Sequence, residues 1–119
     1  MAGHILLVDD DPDIRDVLRD RLESYGYPVE VAGDGRAALL NINEVLRRGL
    51  ILDIQLPHID GLEVLRQTRA RHPLLPIIMI TADVSRISED VIHAAQAVLI
   101  KPIEGLPFKE AVRRLFGSA

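Results

Sequence analysis

Residues 4–12 read His-Ile-Leu-Leu-Val-Asp-Asp-Asp-Pro, and this stretch decides the fold. An aliphatic run that passes directly into three aspartates is typical of a buried strand that ends at a polar edge. Asp11 can cap a helix that begins at Pro12, because proline is favoured at the first helical position. Apolar residues then keep helical spacing as far as Gly26, which is suited to ending the helix. The stretch therefore predicts a strand, a short turn and a helix in direct succession.

The same alternation continues along the chain. Four further short apolar segments occur, and each is followed by residues with the spacing of an amphipathic helix. The predicted strands are 4–9, 29–32, 50–53, 77–80 and 97–100, and the predicted helices are 12–25, 35–47, 62–72, 85–95 and 108–116. Val45 and Leu46 belong to the apolar side of the second helix. Strands that are apolar along their length indicate a doubly wound α/β domain, a parallel sheet with helices on both faces.

Composition narrows the class of protein. A chain of 119 residues suits one domain, so residues 1–119 are predicted to form a single unit. Because 48% of the residues are hydrophobic and only 3% aromatic, the core must be aliphatic. The absence of cysteine excludes disulfides and thiolate sites. A net charge of −4 argues against nucleic acid and anionic membranes as partners, and the sequence has neither a long apolar span nor a signal segment. A cytoplasmic protein is therefore expected.

Chemically reactive side chains stand where the predicted strands end. The first strand runs into Asp9 and Asp10, the third into Asp53, the fourth into Thr81 and the fifth into Lys101. In such sheets, ligands bind in the crevice at the carboxyl ends of the strands. Three carboxylates in one crevice repel one another, so they need a cation beyond the single ammonium, and Mg²⁺ suits oxygen ligands of this kind. A carboxylate nucleophile, a hydroxyl and a cation are what phosphoryl transfer requires.

Four segments together carry a resemblance to a known family. They are ILLVDDDPDIRDVL (5–18), LILDIQLPHIDGLEVL (50–65), IIMITA (77–82) and VLIKP (98–102). Each motif is weak alone, but their order and spacing over the whole chain resemble the CheY-like receiver domain of two-component response regulators. The resemblance implies a flavodoxin-like five-stranded sheet of order 2-1-3-4-5.

The resemblance also implies a role for each site residue. Asp53 would accept a phosphoryl group from a histidine kinase. Asp10 would bind Mg²⁺ directly and Asp9 through water, while Asp53 and the Gln55 carbonyl would complete the metal site. The Gln55 and Ala82 amides and the side chains of Thr81 and Lys101 would contact the phosphoryl oxygens.

Further family features follow from the same resemblance. The Lys101–Pro102 peptide bond would be cis, and Gln55 and Asp83 would tune how fast the aspartyl phosphate hydrolyses. The domain would catalyse its own phosphorylation and dephosphorylation, although it is not a conventional enzyme. Implied partners are a sensor histidine kinase or phosphotransfer protein and a downstream effector or output domain, with a homodimer left open. Phosphorylation would shift the population of arrangements of the face formed by the fourth helix, fifth strand and fifth helix.

The sequence also departs from the family pattern. Val98 replaces the usual aromatic residue on the fifth strand, so an aromatic rotamer switch is impossible at that position. Residues 94–97 lack the common Gly-Ala pair, and the interval between Thr81 and Lys101 is short, which predicts a truncated or reshaped fourth helix. Arg47-Arg48-Gly49 replaces a common Pro-Asp pair. These departures motivate an alternative function, a pseudo-receiver that is not phosphorylated and serves only as a protein-docking module.

Two other motifs suggest different sites. Asp9, Asp11 and Asp13 have the spacing of a calcium loop, but later loop positions and the preceding strand do not fit. Residues 33–38, Gly-Asp-Gly-Arg-Ala-Ala, match a dinucleotide-binding pattern, yet they follow the second strand, and a turn with a helix start explains them. The four histidines share no metal-binding spacing and are assigned to surface or loops. The arginine pairs 47/48 and 113/114 are interpreted as solvated helix ends.

Overall fold

The computed structural model describes residues 3–44 and 47–118. The described chain alternates strands and helices, as the sequence predicts. The strands are β1 (Ile5–Val8), β2 (Val29–Ala32), β3 (Gly49–Asp53), β4 (Ile77–Thr81) and β5 (Ala97–Ile100), and the helices are α1 (Pro12–Ser24), α2 (Gly35–Glu44), α3 (Gly61–Arg71), α4 (Glu89–Ala94) and α5 (Gly105–Phe116). All strand pairs are parallel, and the sheet order is β2-β1-β3-β4-β5. The predicted fold class and strand order are confirmed.

Two apolar layers cover the sheet because successive side chains in a strand point to opposite faces. Every residue of β1, β3 and β4 is buried, as expected for central strands between helices. One layer contains Leu6, Val8, Leu50, Leu52, Ile77 and Met79, and the other contains Ile5, Leu7, Ile51, Ile78, Ile80 and Phe108. The edge strand β5 is only partly buried. The core is aliphatic, as composition predicts.

Strand register brings the polar strand ends to one edge. Val8 pairs with Ala32 on one side and with Leu52 on the other. Thr81 pairs with Ile100, the residue before Lys101. The last residues of the strands are therefore nearly level, and the side chains that follow them face the same crevice.

Local capping chemistry explains where the helices begin. The Asp11 carboxylate accepts hydrogen bonds from the amides of Asp13 (2.9 Å) and Ile14 (3.5 Å), so the predicted N-cap is confirmed. The Asp34 carboxylate accepts from the Ala37 amide at 2.8 Å at the start of α2. Gly26 follows α1 with φ of 98°, a left-handed conformation that glycine adopts without strain.

The prediction for the end of the second helix is wrong. Residues 45–46, which the prediction placed on its apolar face, lie outside the described residues, and Arg47 is not helical. Arg47 is only 6% exposed and pairs with Glu30 at 3.0 Å, so it is not a solvated helix end. Arg48 Nε donates to the Phe116 carbonyl at 2.7 Å, which ties this loop to the last turn of α5. By contrast, Arg113 and Arg114 do lie exposed in that last turn.

The segment predicted as one helix over 85–95 is divided in two. A 3₁₀ turn, Val84–Arg86, precedes a six-residue α4. The Asp83 carboxylate caps the 3₁₀ turn and the Ser88 hydroxyl caps α4, so two capping residues break the segment. The expected shortening of the fourth helix is confirmed. None of the helices that the structure describes is long and apolar enough to cross a membrane.

Candidate functional site

The crevice at the carboxyl edge of the sheet brings together the residues that the strand ends predicted. Asp9 and Asp10 follow β1, Asp53 and Thr81 end β3 and β4, and Lys101 follows β5. Asp9 and Thr81 are fully buried and Asp53 is 4% exposed, whereas Asp10 is exposed at the rim. Asp9 directly follows β1 and Asp53 ends the neighbouring strand β3. The register of these two strands therefore sets the separation of the two carboxylates.

Lys101 bridges two of the aspartates. Its Nζ donates to Asp53 Oδ2 at 2.7 Å and lies 2.9 Å from Asp9 Oδ2. The Lys101 amide donates to the Thr81 carbonyl at 2.8 Å, which anchors the backbone at the end of β5. The Lys101–Pro102 peptide bond is cis, as the resemblance implied.

Three carboxylates form a cluster that suits a divalent cation. Asp9, Asp10 and Asp53 each offer an oxygen, and these three atoms lie within 4.8 Å of one another. Asp9 Oδ1 accepts from the Asp11 amide at 2.9 Å. Asp9 Oδ2 is buried and lies 2.9 Å from Lys101 Nζ. Three carboxylates with one ammonium between two of them fit a hard cation such as Mg²⁺, which prefers oxygen ligands.

Burial and pairing oppose each other in the pKa values of this site. Burial raises the pKa of the Asp53 carboxyl and the nearby Asp9 charge adds to the rise, while the bonds from Lys101 and the Gln55 amide act against it. Burial works to lower the pKa of Lys101, but its contacts with Asp53 and Asp9 prevail, so the pKa is raised. The ammonium therefore stays charged and offsets part of the acidic charge.

The Gln55 amide lies on the carboxylate of Asp53. It donates to Asp53 Oδ1 at 3.0 Å, while the Gln55 side chain is exposed. Asp53 Oδ1 and Oδ2 are thus held by Gln55 and Lys101 respectively, which fixes the carboxylate in one orientation. Gly61 supports the same loop, because its amide donates to the Ile54 carbonyl at 2.8 Å.

Thr81 has its hydroxyl turned to the backbone of the following loop. The hydroxyl accepts from the Asp83 amide at 3.0 Å and donates to the Asp83 carbonyl at 3.2 Å. Ala82 is exposed between them. The Asp83 carboxylate accepts from the Ser85 hydroxyl and amide, and these bonds lower the pKa of Asp83. Val98 is half-buried and packs against the core layer that contains Val91 of α4.

Two arginines contact the loops at this edge of the sheet, and the sequence patterns did not indicate either contact. Arg15 Nη1 donates to the Asp9 carbonyl at 3.2 Å. Arg86 pairs with Asp60 at 2.6 Å and thereby joins the loops after β3 and β4. Arg15 lies about one helical turn after the cap Asp11, and this spacing could have indicated its contact with Asp9. The contact between Arg86 and Asp60 joins residues far apart in the chain, so no local spacing indicates it.

The motifs that resembled a calcium loop and a dinucleotide-binding turn have structural roles. Asp11 serves as a helix cap, and residues 33–35 form the turn that starts α2. Gly35 is required there, because an added Cβ would lie 2.2 Å from the Ile59 carbonyl oxygen. His4, His58 and His93 are exposed, and none of the four histidines belongs to an acidic cluster among the described residues.

Comparison with known proteins gives one consistent result. A family model described as "Response regulator receiver domain" matches residues 5–113. The response regulator MprA of Mycolicibacterium vanbaalenii is 46% identical over 82 residues, which are 69% of this chain and 36% of that protein. The chain therefore spans about a third of the length of the curated relatives that it matches.

Solved structures agree with the fold. The response regulator TrrA of Thermotoga maritima, in complex with Mg²⁺-BeF, has a TM-score of 0.89 and 34% identity, covering 95% of this chain and 98% of that one. The receiver domain of a sensor histidine kinase from Pseudomonas aeruginosa PAO1 was solved with a magnesium ion in its active-site cleft. It has a TM-score of 0.87 and 29% identity, and the match covers 99% of this chain and 100% of that one.

Proposed function

The chain belongs to the response regulator receiver domain family of two-component systems, and on that premise we propose that Asp53 is the residue that accepts the phosphoryl group. The observation that carries the proposal is the placement of Lys101 Nζ, 2.7 Å from Asp53 and 2.9 Å from Asp9, beside a cluster of three carboxylates. One oriented carboxylate, one ammonium and one acidic metal pocket are the parts that phosphoryl transfer to a carboxylate needs.

The proposed reaction is a substitution at phosphorus. A carboxylate oxygen of Asp53 forms the new P–O bond while the P–N bond of a phosphohistidine on the kinase breaks, and the leaving imidazole nitrogen keeps the electron pair of that bond and takes a proton from water. Lys101 stabilises the negative charge on the phosphoryl oxygens, because it is a fixed cation at the place where that charge arrives. Hydrolysis by water then breaks the acyl phosphate and restores the Asp53 carboxylate.

Asp9, Asp10, Asp53 and the Gln55 carbonyl are proposed to hold Mg²⁺. When bound, the ion would neutralise carboxylate and phosphoryl charge together. Three carboxylate oxygens within 4.8 Å of one another, and the exposure of Asp10 at the rim, support this assignment. Exposure of Asp10 leaves room for the waters that Mg²⁺ usually keeps.

Thr81 is proposed to bind a phosphoryl oxygen only after its hydroxyl leaves the Asp83 backbone. Both of its present hydrogen bonds go to that residue, at 3.0 and 3.2 Å. Phosphorylation would therefore compete with the present loop arrangement, in which the Ala82 amide and Asp83 follow β4. This competition would couple phosphorylation of Asp53 to the α4–β5–α5 face without an aromatic residue at position 98.

The wider assignments are proposals of the same kind. A sensor histidine kinase or phosphotransfer protein would supply the phosphoryl group, and an effector or output domain would read the result. Residues 1–119 would act as one receiver unit, working in the cytoplasm. The pseudo-receiver alternative is not favoured, because three carboxylates and the Lys101 ammonium lie together in the crevice.

Phosphorylation of Asp53→Asn tests the acceptor. The wild-type chain, incubated with acetyl phosphate and Mg²⁺, should gain the mass of one phosphoryl group, and hydroxylamine should remove it, as expected for an acyl phosphate. Asp53→Asn should gain none, and EDTA should prevent the gain in the wild type.

Asp16→Asn is the matched control. Asp16 is an exposed carboxylate on α1 whose contact is a 3.4 Å pair with Arg19, outside the crevice. Phosphorylation of this variant should equal that of the wild type. Undiminished labelling of Asp53→Asn would contradict the assignment of the acceptor.

A further inference from the structure

The turn that carries Asp9 and Asp10 is held from outside the crevice by a side chain of α1. Arg15 Nη1 donates to the main-chain carbonyl of Asp9 at 3.2 Å. The Asp9 amide also donates to the Ala32 carbonyl (3.3 Å), and the Asp11 amide donates to Asp9 Oδ1 (2.9 Å). The Asp11 carboxylate caps the first turn of α1, whereas Arg15 is the α1 side chain that reaches back to Asp9 itself.

Packing restricts where the Arg15 guanidinium can lie. It rests against the turn after β2, where a Cβ added to Gly33 would come within 3.0 Å of Arg15 Nη1. The side chain is half-buried, so it is confined between α1 and the turn at Gly33. The Gly-Asp-Gly sequence at 33–35 thus leaves space for the guanidinium on one side.

The other arginines of α1 have different environments. Arg19 pairs with Asp16 at 3.4 Å on the exposed face of the helix, and Arg21 donates to the Ile103 carbonyl at 2.8 Å. Arg15 is the arginine of this helix that reaches the acidic turn. Its contact cannot be a simple charge pair with a carboxylate, because it is directed at a backbone carbonyl.

We propose that Arg15 is a positioning residue for the metal site, which fixes the backbone of Asp9 so that the carboxylates of Asp9 and Asp10 face the cation. The inference rests on the proposed Mg²⁺ site. A positioning role and a purely electrostatic role of Arg15 predict opposite changes in Mg²⁺ affinity. A nearby positive charge repels Mg²⁺, so removing the charge alone would strengthen binding, whereas loss of the backbone anchor would weaken it.

Arg15→Met tests the inference, because methionine keeps an unbranched apolar stem and removes both the donor and the charge. Mg²⁺ binding is measured by isothermal titration calorimetry without any phosphoryl donor. The dissociation constant should rise, by up to about tenfold, because the loss of one hydrogen bond outweighs the gain from removing the charge. The amide signals of Asp10 and Asp11 in nuclear magnetic resonance spectra should shift already in EDTA.

Two further variants separate positioning from a general loss of structure. Arg19→Met removes an exposed arginine of the same helix and should leave the Mg²⁺ dissociation constant unchanged. Arg15→Lys keeps the charge and a donor, and should recover part of the affinity. Urea unfolding in EDTA checks that each variant is folded.

The outcomes are distinct. An Mg²⁺ dissociation constant for Arg15→Met that is equal to or lower than that of the wild type would overturn the inference. An affinity of Arg15→Lys no better than that of Arg15→Met would also contradict it. A wild-type chain that binds no Mg²⁺ would instead refute the proposed metal site itself.

Discussion

Asp53 combines burial with charge, and this combination has a cost for stability. Its pKa is raised above the ordinary value of 3.8, chiefly by burial and despite the bond from Lys101. The folded protein therefore binds the proton of this group more tightly than the unfolded chain does. Stability must then fall as the pH rises from 3.8 through the raised pKa, and the loss is fully present at neutral pH. The proposed role of Asp53 as the nucleophile explains why this unfavourable carboxylate is kept.

Asp53→Asn is accordingly expected to increase the free energy of unfolding at neutral pH in EDTA, because asparagine resembles the protonated acid. The increase should shrink as the pH falls towards 3.8. Urea unfolding at several pH values measures both trends.

Asp83→Asn provides a control of opposite sign. The pKa of Asp83 is lowered, first by its bond from the Ser85 hydroxyl and then by the Ser85 amide. Its ionised form favours folding above the ordinary pKa of 3.8, so the variant should be less stable at neutral pH and approach the wild type in acid. A loss of stability in Asp53→Asn at neutral pH would contradict the sign given for Asp53.

Among the elements, the start of α3 is packed directly onto the backbone of Asp53, the proposed phosphoacceptor. A Cβ added to Gly61 would lie 2.1 Å from the Asp53 carbonyl oxygen and 2.5 Å from that of Ile54. Both are backbone atoms, which cannot move without displacing the strand end. Glycine is therefore required here by close approach, and the position of α3 is coupled to that of Asp53.

Gly61→Ala should lower the free energy of unfolding by about 1–3 kcal/mol, the usual cost of forcing extra volume into a packed site. It should also slow phosphorylation by acetyl phosphate, because Asp53 must shift.

Gly105→Ala is the matched control at the start of α5. An added Cβ there meets nothing within 4 Å, so the variant should be as stable as the wild type or gain at most about 1 kcal/mol. Equal unfolding curves for Gly61→Ala and the wild type would show that α3 can move away freely.

The whole molecule has a rigid centre and a more weakly held side. Strands β1, β3 and β4 are buried throughout, whereas β5 is an edge strand and α4 has only six residues. Asp9 and Asp53 are thus placed by the rigid centre. Lys101 and the loop after β4 lie on the side of β5 and α4, where fewer residues are buried.

Native-state hydrogen exchange should reflect this division. The amides of β1, β3 and β4 are expected to exchange slowest, through global unfolding, and those of α4 and the edge of β5 faster, through local opening. Exchange measured by nuclear magnetic resonance tests the difference. Equal protection in α4 and in the central strands would contradict it.

The sequence by itself determined the alternation of strands and helices, the aliphatic core and the set of residues at the strand ends. These follow from local causes: hydrophobic period, capping residues such as Asp11, and the rule that parallel strands end at one edge. Prediction failed at Arg47, which apolar spacing included in the second helix and which is not helical. It also treated residues 85–95 as one helix, although the caps Asp83 and Ser88 divide the segment.

Only the tertiary structure decided how these residues meet. The bridge from Lys101 to Asp9 and Asp53 joins side chains that follow or end three different strands. Buried Arg47 is a second case, because its partner Glu30 lies on β2, far from it in the chain. These contacts depend on strand register and packing over the whole sheet, and no local pattern in the chain encodes them. The bonds from Thr81 to the Asp83 backbone and from Arg15 to the Asp9 carbonyl join residues close in the chain, but their geometry is set by the turns that the folded sheet holds in place.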